Sequence, residues 1–423
     1  MDAPEKFVAL TPETLPKRLG DLPALTHRLG GDVSRWQVRE VGDGNLNLVF
    51  IVESPHGALI VKQALPYVRL VGESWPLPLK RSYFEYHALT RLAASDPGIV
   101  PVVHHFDEQQ AIIVMDYLTP HVILRRALIE GRALPDLGVV MGRYLARTAF
   151  RNSDLCMKTR DKKQAVALFA DNVELCDITE NLVFSDPYFA APMNRHTAPQ
   201  LDGLVAILRA DRDLKVSAQQ MKHKFSAQSE TLCHGDLHTG SIMVTETDIK
   251  VIDPEFVFYG PFGFDIGMLL ANYWMSFFSQ RGHEAGGSRE MLRRELLDII
   301  VDTWKTFSAT FTALWHSERR GILYQSNLFE AQGDGLASDQ ALHHVLHGIW
   351  VDMLGFAGIE IHRRILGLAH NADFEKIDNP DVRAACEARA LKFGRHITVN
   401  RDALDDLAVI NALAARLDQD VVT

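Results

Sequence analysis

Asp236 and Asp253 are the residues whose type and spacing most directly suggest chemistry. The first stands in "TLCHGDLHTGSIMV", Thr231 to Val244, where two histidines, an aspartate, two glycines and several hydroxyls crowd between apolar runs. Gly235 and Gly240 would by themselves explain a tight turn. The carboxylate beside them allows a second reading, a loop that aims Asp236 at a substrate hydroxyl. Seventeen positions on, Asp253 closes the stretch "SIMV-TETD-IKVID", and Glu255 follows it. A hairpin there would return the chain to its starting edge, so that both carboxylates face one cleft. Phosphoryl transfer divides labour in this way: one Asp accepts or orients the attacking hydroxyl, and another binds Mg²⁺ bridging the phosphates. Glu255 would add a second hard oxygen ligand of the kind Mg²⁺ prefers.

A nucleotide site needs more than two acids. In "GDGNLN", Gly42 and Gly44 permit positive φ and close backbone approach, so that amide groups there could cover a phosphate. Most such Gly-Asn turns are only turns. Lys62 follows within "LIVKQA", flanked by Ile60 and Val61, and a glycine turn followed one strand later by a lysine places an ammonium beneath the phosphates. Glu85, in the next helix, would hold Lys62 by an ion pair or stand as a solvated helix acid. The ordered set of glycine loop, strand lysine, loop Asp and post-hairpin Asp is hard to obtain by chance.

Elements must carry these residues. "WQVREV", "LVFIVES" and "ALIVKQA", separated by glycine, asparagine and proline, read as an antiparallel meander, and the first hundred or so residues read as strands. "RSYFEYHALTRLAA" is helical, with Tyr83, Tyr86, Leu89 and Leu92 about one turn apart, and "VPVVHHFD" and "AIIVMDYL" add two strands. From about Ala127 the pattern is mostly helical, most clearly where Leu292, Leu296, Ile300, Trp304, Phe307 and Phe311 trace one face. A small β-rich lobe over 1–118 and a larger, mainly helical lobe over 119–423 is the expected α+β architecture, and 423 residues are enough for two or three domains.

Composition narrows the class. Charged and hydrophobic fractions of 23% and 47% are those of ordinary globular chains, which excludes disorder and fibres. A formal net charge of −10 argues against a general nucleic-acid binder but not against a locally bound phosphate. Cys156, Cys176, Cys233 and Cys386 form no CxxC pair, which fits a reducing compartment. "MDAPEKFVALTPETLPKRLG" has no apolar core, and "DIGMLLANYWMSFF" is broken by Asn272 and Ser276. The expectation is a soluble, cytoplasmic protein that binds neither nucleic acid nor membrane.

"HGDLHTGSIMV" followed by "KVIDPEFVFYGPFGFDIG" resembles the aminoglycoside phosphotransferase and choline kinase group of the protein-kinase-like fold. With "VGDGNLNLVF" the likeness narrows to the bacterial 5-methylthioribose kinases and covers nearly the whole chain. Two departures from the broad group fit this narrowing: Ser241 stands where the group has a metal-binding asparagine, and Asp253-Pro254-Glu255 replaces D-x-G or D-x-D. The resemblance implies a two-lobed kinase-like fold, transfer of the ATP γ-phosphate to the 1-hydroxyl of 5-methylthioribose, Mg²⁺ as cofactor and a homodimer. It implies Asp236 as catalytic residue and Asp253 and Glu255 as metal ligands. ATP would be held by Gly42, Gly44, Asn45, Lys62, Glu85, Asp253, Pro254 and Glu255, with adenine on the backbone of a hinge at Asp116, Tyr117 and Leu118, taken as edge strand. Trp75, in the loop "GESWPLPL", and the pair Arg363 and Arg364 would meet the sugar, although turn structure explains Asn45, an anchoring aromatic explains Trp75, and a salt bridge to Glu360 explains the arginines. His343 and His347 share a helix face without a third ligand and are read as solvated.

Rival readings stay within reach. An aminoglycoside site should be lined with carboxylates and a choline site should have an aromatic cage, and adjacent arginines suit neither. A protein kinase would need an A-P-E segment after the metal site. A catalytically inactive nucleotide-binding module is opposed by intact Lys62, Asp236 and Asp253.

Overall fold

The apolar runs around Phe50 and Val61 build a sheet at the amino-terminal end of the chain. The computed structural model describes residues 7–42, 46–69, 72–134 and 136–419. Two short helices come first, α1 (Leu15–Gly20) and α2 (Pro23–Leu29), each with a proline in the first turn, where no N–H is needed. They are too short to show a helical period, which is why a sequence reading of these residues as strands misses them. The strands β1 (Gln37–Glu40), β2 (Asn47–Ser54) and β3 (Gly57–Ala64) follow. Next come β4 (Tyr67–Val68), β5 (Gly72–Pro76), α3 (Arg81–Ser95), β6 (Val103–Asp107) and β7 (Ile112–Asp116). The five-stranded sheet is antiparallel with order β1-β2-β3-β7-β6.

Alternation along the strands decides which face each side chain takes. Phe50 and Val52 of β2, Leu59 and Val61 of β3, and Ile112 and Val114 of β7 pack with Leu15, Leu19, Leu25 and Leu29 of the two helices. Lys62, one residue out of phase with Val61, is therefore turned to the opposite face, towards α3. On α3 the buried stripe is Arg81, Phe84, Glu85, Ala88, Leu89 and Leu92, while Tyr83 and Tyr86 are half-buried beside Phe106. Two charged residues thus stand in the buried stripe where a hydrophobic count would place tyrosines.

Helices dominate the remainder. After β8 (Val122–Ile123) come α4 (Leu124–Ile129), α5 (Leu137–Arg151), α6 (Thr159–Phe169), α7 (Val173–Leu182), α8 (Asp202–Ala210) and α9 (Arg212–Ala227). Four short strands interrupt them: β9 (Thr231–Cys233), β10 (Ile242–Val244), β11 (Ile249–Val251) and β12 (Phe258–Gly260). The chain then runs through α10 (Gly263–Ser279), α11 (Glu290–Ser317), α12 (Gly335–Leu366), α13 (Ala372–Glu375), α14 (Pro380–Val399) and α15 (Leu407–Gln419). Asp334 caps α12 by accepting from the Ala337 N–H, and Asn379 caps α14 with Pro380 in its first turn. Helix α10 is buried at every position but Asp265, which makes it the core of this part. Among the described residues, no helix is long and apolar enough to cross a membrane.

Close approach fixes α12. A Cβ on Gly267 of α10 would lie 2.6 Å from the Met353 carbonyl oxygen, and one on Gly358 of α12 would lie 2.3 Å from the Gly394 carbonyl oxygen of α14. Only glycine at those two positions lets the three helices pack so tightly, and α12 carries Glu360, Arg363 and Arg364.

The chain divides into two compact units. The smaller runs to His121 and also takes in Lys250–Val257; the larger comprises Val122–Ile249 and the chain from Phe258 onward. The short segment Lys250–Val257, which carries Asp253 and Glu255, is bound to the smaller unit by the Val251 N–H on the Ile99 carbonyl at 2.8 Å and by the Lys250 ammonium on the Gly98 carbonyl at 2.6 Å.

Candidate active site

Lys62 is the centre of the smaller unit's cluster. Its ammonium donates to Glu85 Oε1 at 2.8 Å and to Asp253 Oδ1. Burial alone would lower its pKa, but the carboxylates of Asp253, Glu85 and Glu255 outweigh that and raise it, so the lysine is charged. Glu85 is pushed up to about 7 by burial against the pull of Lys62. Glu255 is raised by burial too; its Oε2 accepts from Asn47 Nδ2 at 2.9 Å and lies 3.6 Å from Arg81 Nε. Arg81 is fully buried and also donates to the carbonyls of Leu65, Pro78 and Leu46 and to Asn47 Oδ1.

Glu85, Asp253 and Glu255 each bring a carboxylate oxygen within 4.8 Å of the others. Their side chains differ in reach: Glu85 and Glu255 keep 3% and 5% exposure, whereas Asp253 keeps 48%. Asp253 is therefore the end of the cluster that a ligand meets. It is held there at φ 66, a left-handed conformation that costs a non-glycine residue about 1–2 kcal/mol. An all-oxygen donor set with one accessible carboxylate suits a hard divalent cation such as Mg²⁺.

In the larger unit, Asp236 is the reachable end of a second network. Arg363 and Arg364 both donate through a terminal nitrogen to Asp236 Oδ1, at 2.8 and 3.0 Å, and each also donates through Nε to one oxygen of Glu360 at 2.7 Å. Glu360 is wholly buried, while the Asp236 side chain keeps 23% exposure. Burial would raise the Asp236 pKa, but His238, Arg364 and Arg363 hold it well below the usual carboxylate range. His238 Nε2 stands 3.3 Å from Asp236 Oδ2. Arg125 reaches Thr239 Oγ1 and Asn272 Oδ1, both at 3.1 Å, and pairs with the buried Asp373 at 3.3 Å.

The loop itself is pinned from behind. Asp265, in the first turn of α10, accepts from the backbone N–H groups of His234 at 2.6 Å and Gly235 at 3.1 Å. Ser241 donates its hydroxyl to the Asp236 carbonyl at 3.0 Å. Its side chain thus closes the loop on itself.

The sequence-derived candidates fall into three groups. Lys62, Glu85, Asp253 and Glu255 come together in the smaller unit, with Pro254 buried between the last two. Asp236, Arg363 and Arg364 come together in the larger one, and the arginines make both the Glu360 bridge and the Asp236 contact. The rest stand apart. Gly42 is exposed in a turn, and Gly44 and Asn45 lie outside the described residues. Trp75 is half-buried on β5, which pairs with β4, so "GESWPLPL" begins as a strand and not as a loop.

The edge-strand reading of the hinge segment does not hold. Asp116 ends β7, which lies between β3 and β6 and is no edge strand. Its N–H donates to the Val102 carbonyl at 3.0 Å, and its carboxylate takes the Val102 N–H and His104 Nε2, at 3.1 and 2.6 Å. Tyr117 and Leu118 follow the strand, and the Tyr117 hydroxyl accepts from Arg39 at 3.3 Å. Sequence reasoning also missed Asn47, Arg81, His238, Asp265 and Arg125. Of these, Asn47, His238 and Asp265 lie inside the quoted motifs, whereas nothing local marks Arg81 as a buried ion-pair partner.

Residues 37–297 match the phosphotransferase enzyme family. A methylthioribose kinase of Escherichia coli O45:K1 is 44% identical over 401 residues, covering 94% of this chain and 95% of that protein. Methylthioribose kinase 1 of Oryza sativa subsp. japonica is 42% identical over 403 residues, covering 94% and 93%. Among solved structures, a glucosamine kinase in complex with glucosamine, ADP and inorganic phosphate shares 16% identity and a TM-score of 0.45, covering 82% of this chain and 85% of that one.

Proposed function

This chain belongs to the phosphotransferase enzyme family and, within it, to the methylthioribose kinases; from that premise we propose that it transfers the γ-phosphoryl group of ATP to the 1-hydroxyl of 5-methylthioribose. The observation that carries the substrate assignment is the grip of Arg363 and Arg364 on one oxygen of Asp236. The two guanidinium groups, matched by Asp236 and Glu360, leave no net negative charge to attract a cationic substrate such as choline or an aminoglycoside. They suit a neutral polyol, which needs directed donors and acceptors, and they steady the charge on a phosphoryl group in transit.

In this reading the smaller unit holds the nucleotide, with Lys62 on its phosphates and the backbone after β7 on adenine. Asp253 and Glu255 are the residues that would hold Mg²⁺. When bound, the ion would offset the charge of the phosphates. Asp236 orients the sugar hydroxyl and takes its proton as the O1–P bond forms and the bond from phosphorus to the ADP oxygen breaks. The arginines keep that carboxylate ionised, so it acts chiefly by orientation until late in the transfer. The hydroxyl is hemiacetal and more acidic than an ordinary alcohol, which suits so weak a base. A homodimer and a cytoplasmic location complete the proposal on family resemblance.

A coupled ADP-release assay against methylthioribose, choline, kanamycin and water tests the assignment, with phosphorus NMR of the product locating the new ester. Turnover is expected with methylthioribose alone. Asp236→Asn should lower kcat by about 10²–10⁴-fold with ATP binding kept. A variant with most of the parent turnover would remove Asp236 from the reaction.

A further inference from the structure

The histidine two residues after Asp236 has both ring nitrogens engaged, and the partners fix its tautomer. Nδ1 lies 2.8 Å from the Gly240 backbone nitrogen, an N–H that can only donate, so Nδ1 accepts and carries no proton. The proton of the neutral ring is then on Nε2, which faces Asp236 Oδ2 at 3.3 Å. Burial, reinforced by Arg364 and Arg125 and opposed by Asp236, holds the His238 pKa down to about 4, so the ring is neutral near pH 7. The seat is made for the ring: a Cβ on Gly240 would come within 2.6 Å of His238 Cε1.

Arg363 and Arg364 grip only Oδ1 of Asp236. A carboxylate held at one oxygen still pivots about it, and the second oxygen sets the plane presented to a hydroxyl. A fourth cation beside Arg363, Arg364 and Arg125 would weaken the carboxylate as a proton acceptor further. A neutral N–H fixes the plane with less of that loss.

We propose that His238 is a positioning residue for phosphoryl transfer, its Nε2–H fixing Oδ2 of Asp236 while its Nδ1 holds the turn at Gly240. The reaction part rests on the kinase reading above; the tautomer does not.

Two substitutions separate the two jobs of the ring. His238→Asn keeps an acceptor near the Nδ1 position and removes the donor to Asp236, whereas His238→Gln keeps a donor near Nε2 and gives up the acceptor. The Asn variant is expected to lose about 10–100-fold in kcat with methylthioribose, the range for a misplaced reacting group, with an unchanged KM for ATP and an unfolding midpoint near the parent's. The Gln variant should recover most of the kcat and show the lower midpoint. Parent-like kcat in the Asn variant, or a Gln variant no faster than the Asn one, would overturn the role. Nitrogen-15 NMR of histidine-labelled protein reads the tautomer directly, the His238 signals being those absent from the Asn variant. An unprotonated Nδ1 supports the proposal, and a protonated Nδ1 overturns it. That measurement decides the placement even if the parent fails to phosphorylate methylthioribose, an outcome that would sink the kinase reading instead.

Discussion

Replacing Glu360 by glutamine should expose how the arginine pair is balanced. Glu360 is 0% exposed, and each of its oxygens takes one guanidinium Nε at 2.7 Å, from Arg363 on Oε2 and from Arg364 on Oε1. The terminal nitrogens of the same two arginines meet on Asp236 Oδ1. Two cations therefore face two carboxylates, one sealed and one reachable. Glutamine keeps the shape but removes a charge and turns an NH₂ towards one of the Nε–H donors. Breaking a buried ion pair by deleting one partner costs about 3–5 kcal/mol, a large share of the roughly 5–15 kcal/mol that holds a domain together. Urea unfolding at pH 7 should show the midpoint fall with an unchanged m-value. Methylthioribose kinetics should worsen, because both guanidinium groups lose the anchor that aims them at Asp236. Adding Arg364→Met removes the matching cation and should recover part of the lost stability. A Glu360→Gln variant within about 0.5 kcal/mol of the parent, with normal sugar kinetics, would refute the charge balance drawn here.

Arg363→Lys should raise the KM for methylthioribose about tenfold with ATP use unchanged, since one ammonium cannot span Glu360 Oε2 and Asp236 Oδ1 as the fork does; steady-state kinetics with each substrate varied in turn checks it. Asp253→Ala and Glu255→Ala should both raise the Mg²⁺ needed for half-maximal activity, Asp253 more severely, and Glu255→Ala should also lower the unfolding midpoint because Asn47 loses its acceptor and Arg81 an ion-pair partner. An unchanged Mg²⁺ titration in Glu255→Ala would assign that residue to structure alone. Mild acid should weaken the fold through His362. Burial holds His362 down to about 4 from 6.5, so between those values the unfolded chain binds a proton that the folded chain refuses, and stability falls as pH falls. His362→Gln should flatten that limb by about 1.4 kcal/mol per pH unit, read by urea midpoints across the range.

Much of the chemistry was legible because it is local. Strand alternation alone turned Lys62 away from the face that holds Val61, and the glycines around Asp236 marked a loop. Two adjacent arginines in an apolar helix marked themselves as groups in need of partners, a substrate or Glu360. These signals come from spacings of a few residues, which is the range over which sequence periodicity constrains geometry. The partners were another matter. Lys62 meets Asp253 across 191 residues, Asn47 meets Glu255 across 208, and Arg363 meets Asp236 across 127. Such contacts are set by which helices pack and how closely, as Gly267 and Gly358 do for α12. Glu360 could be read as the partner of the arginines from its helical spacing, but only packing made it half of a shared cage. Arg81 carried no signal, because a charge in a buried stripe contradicts the hydrophobic pattern until its acceptors are known. Asp116 looked like an edge because nothing in "AIIVMDYL" tells which strands flank it. The sequence by itself determined which groups are available and which face of their own element they take; tertiary structure decided their partners, and with them their charge, their tautomer and their reach.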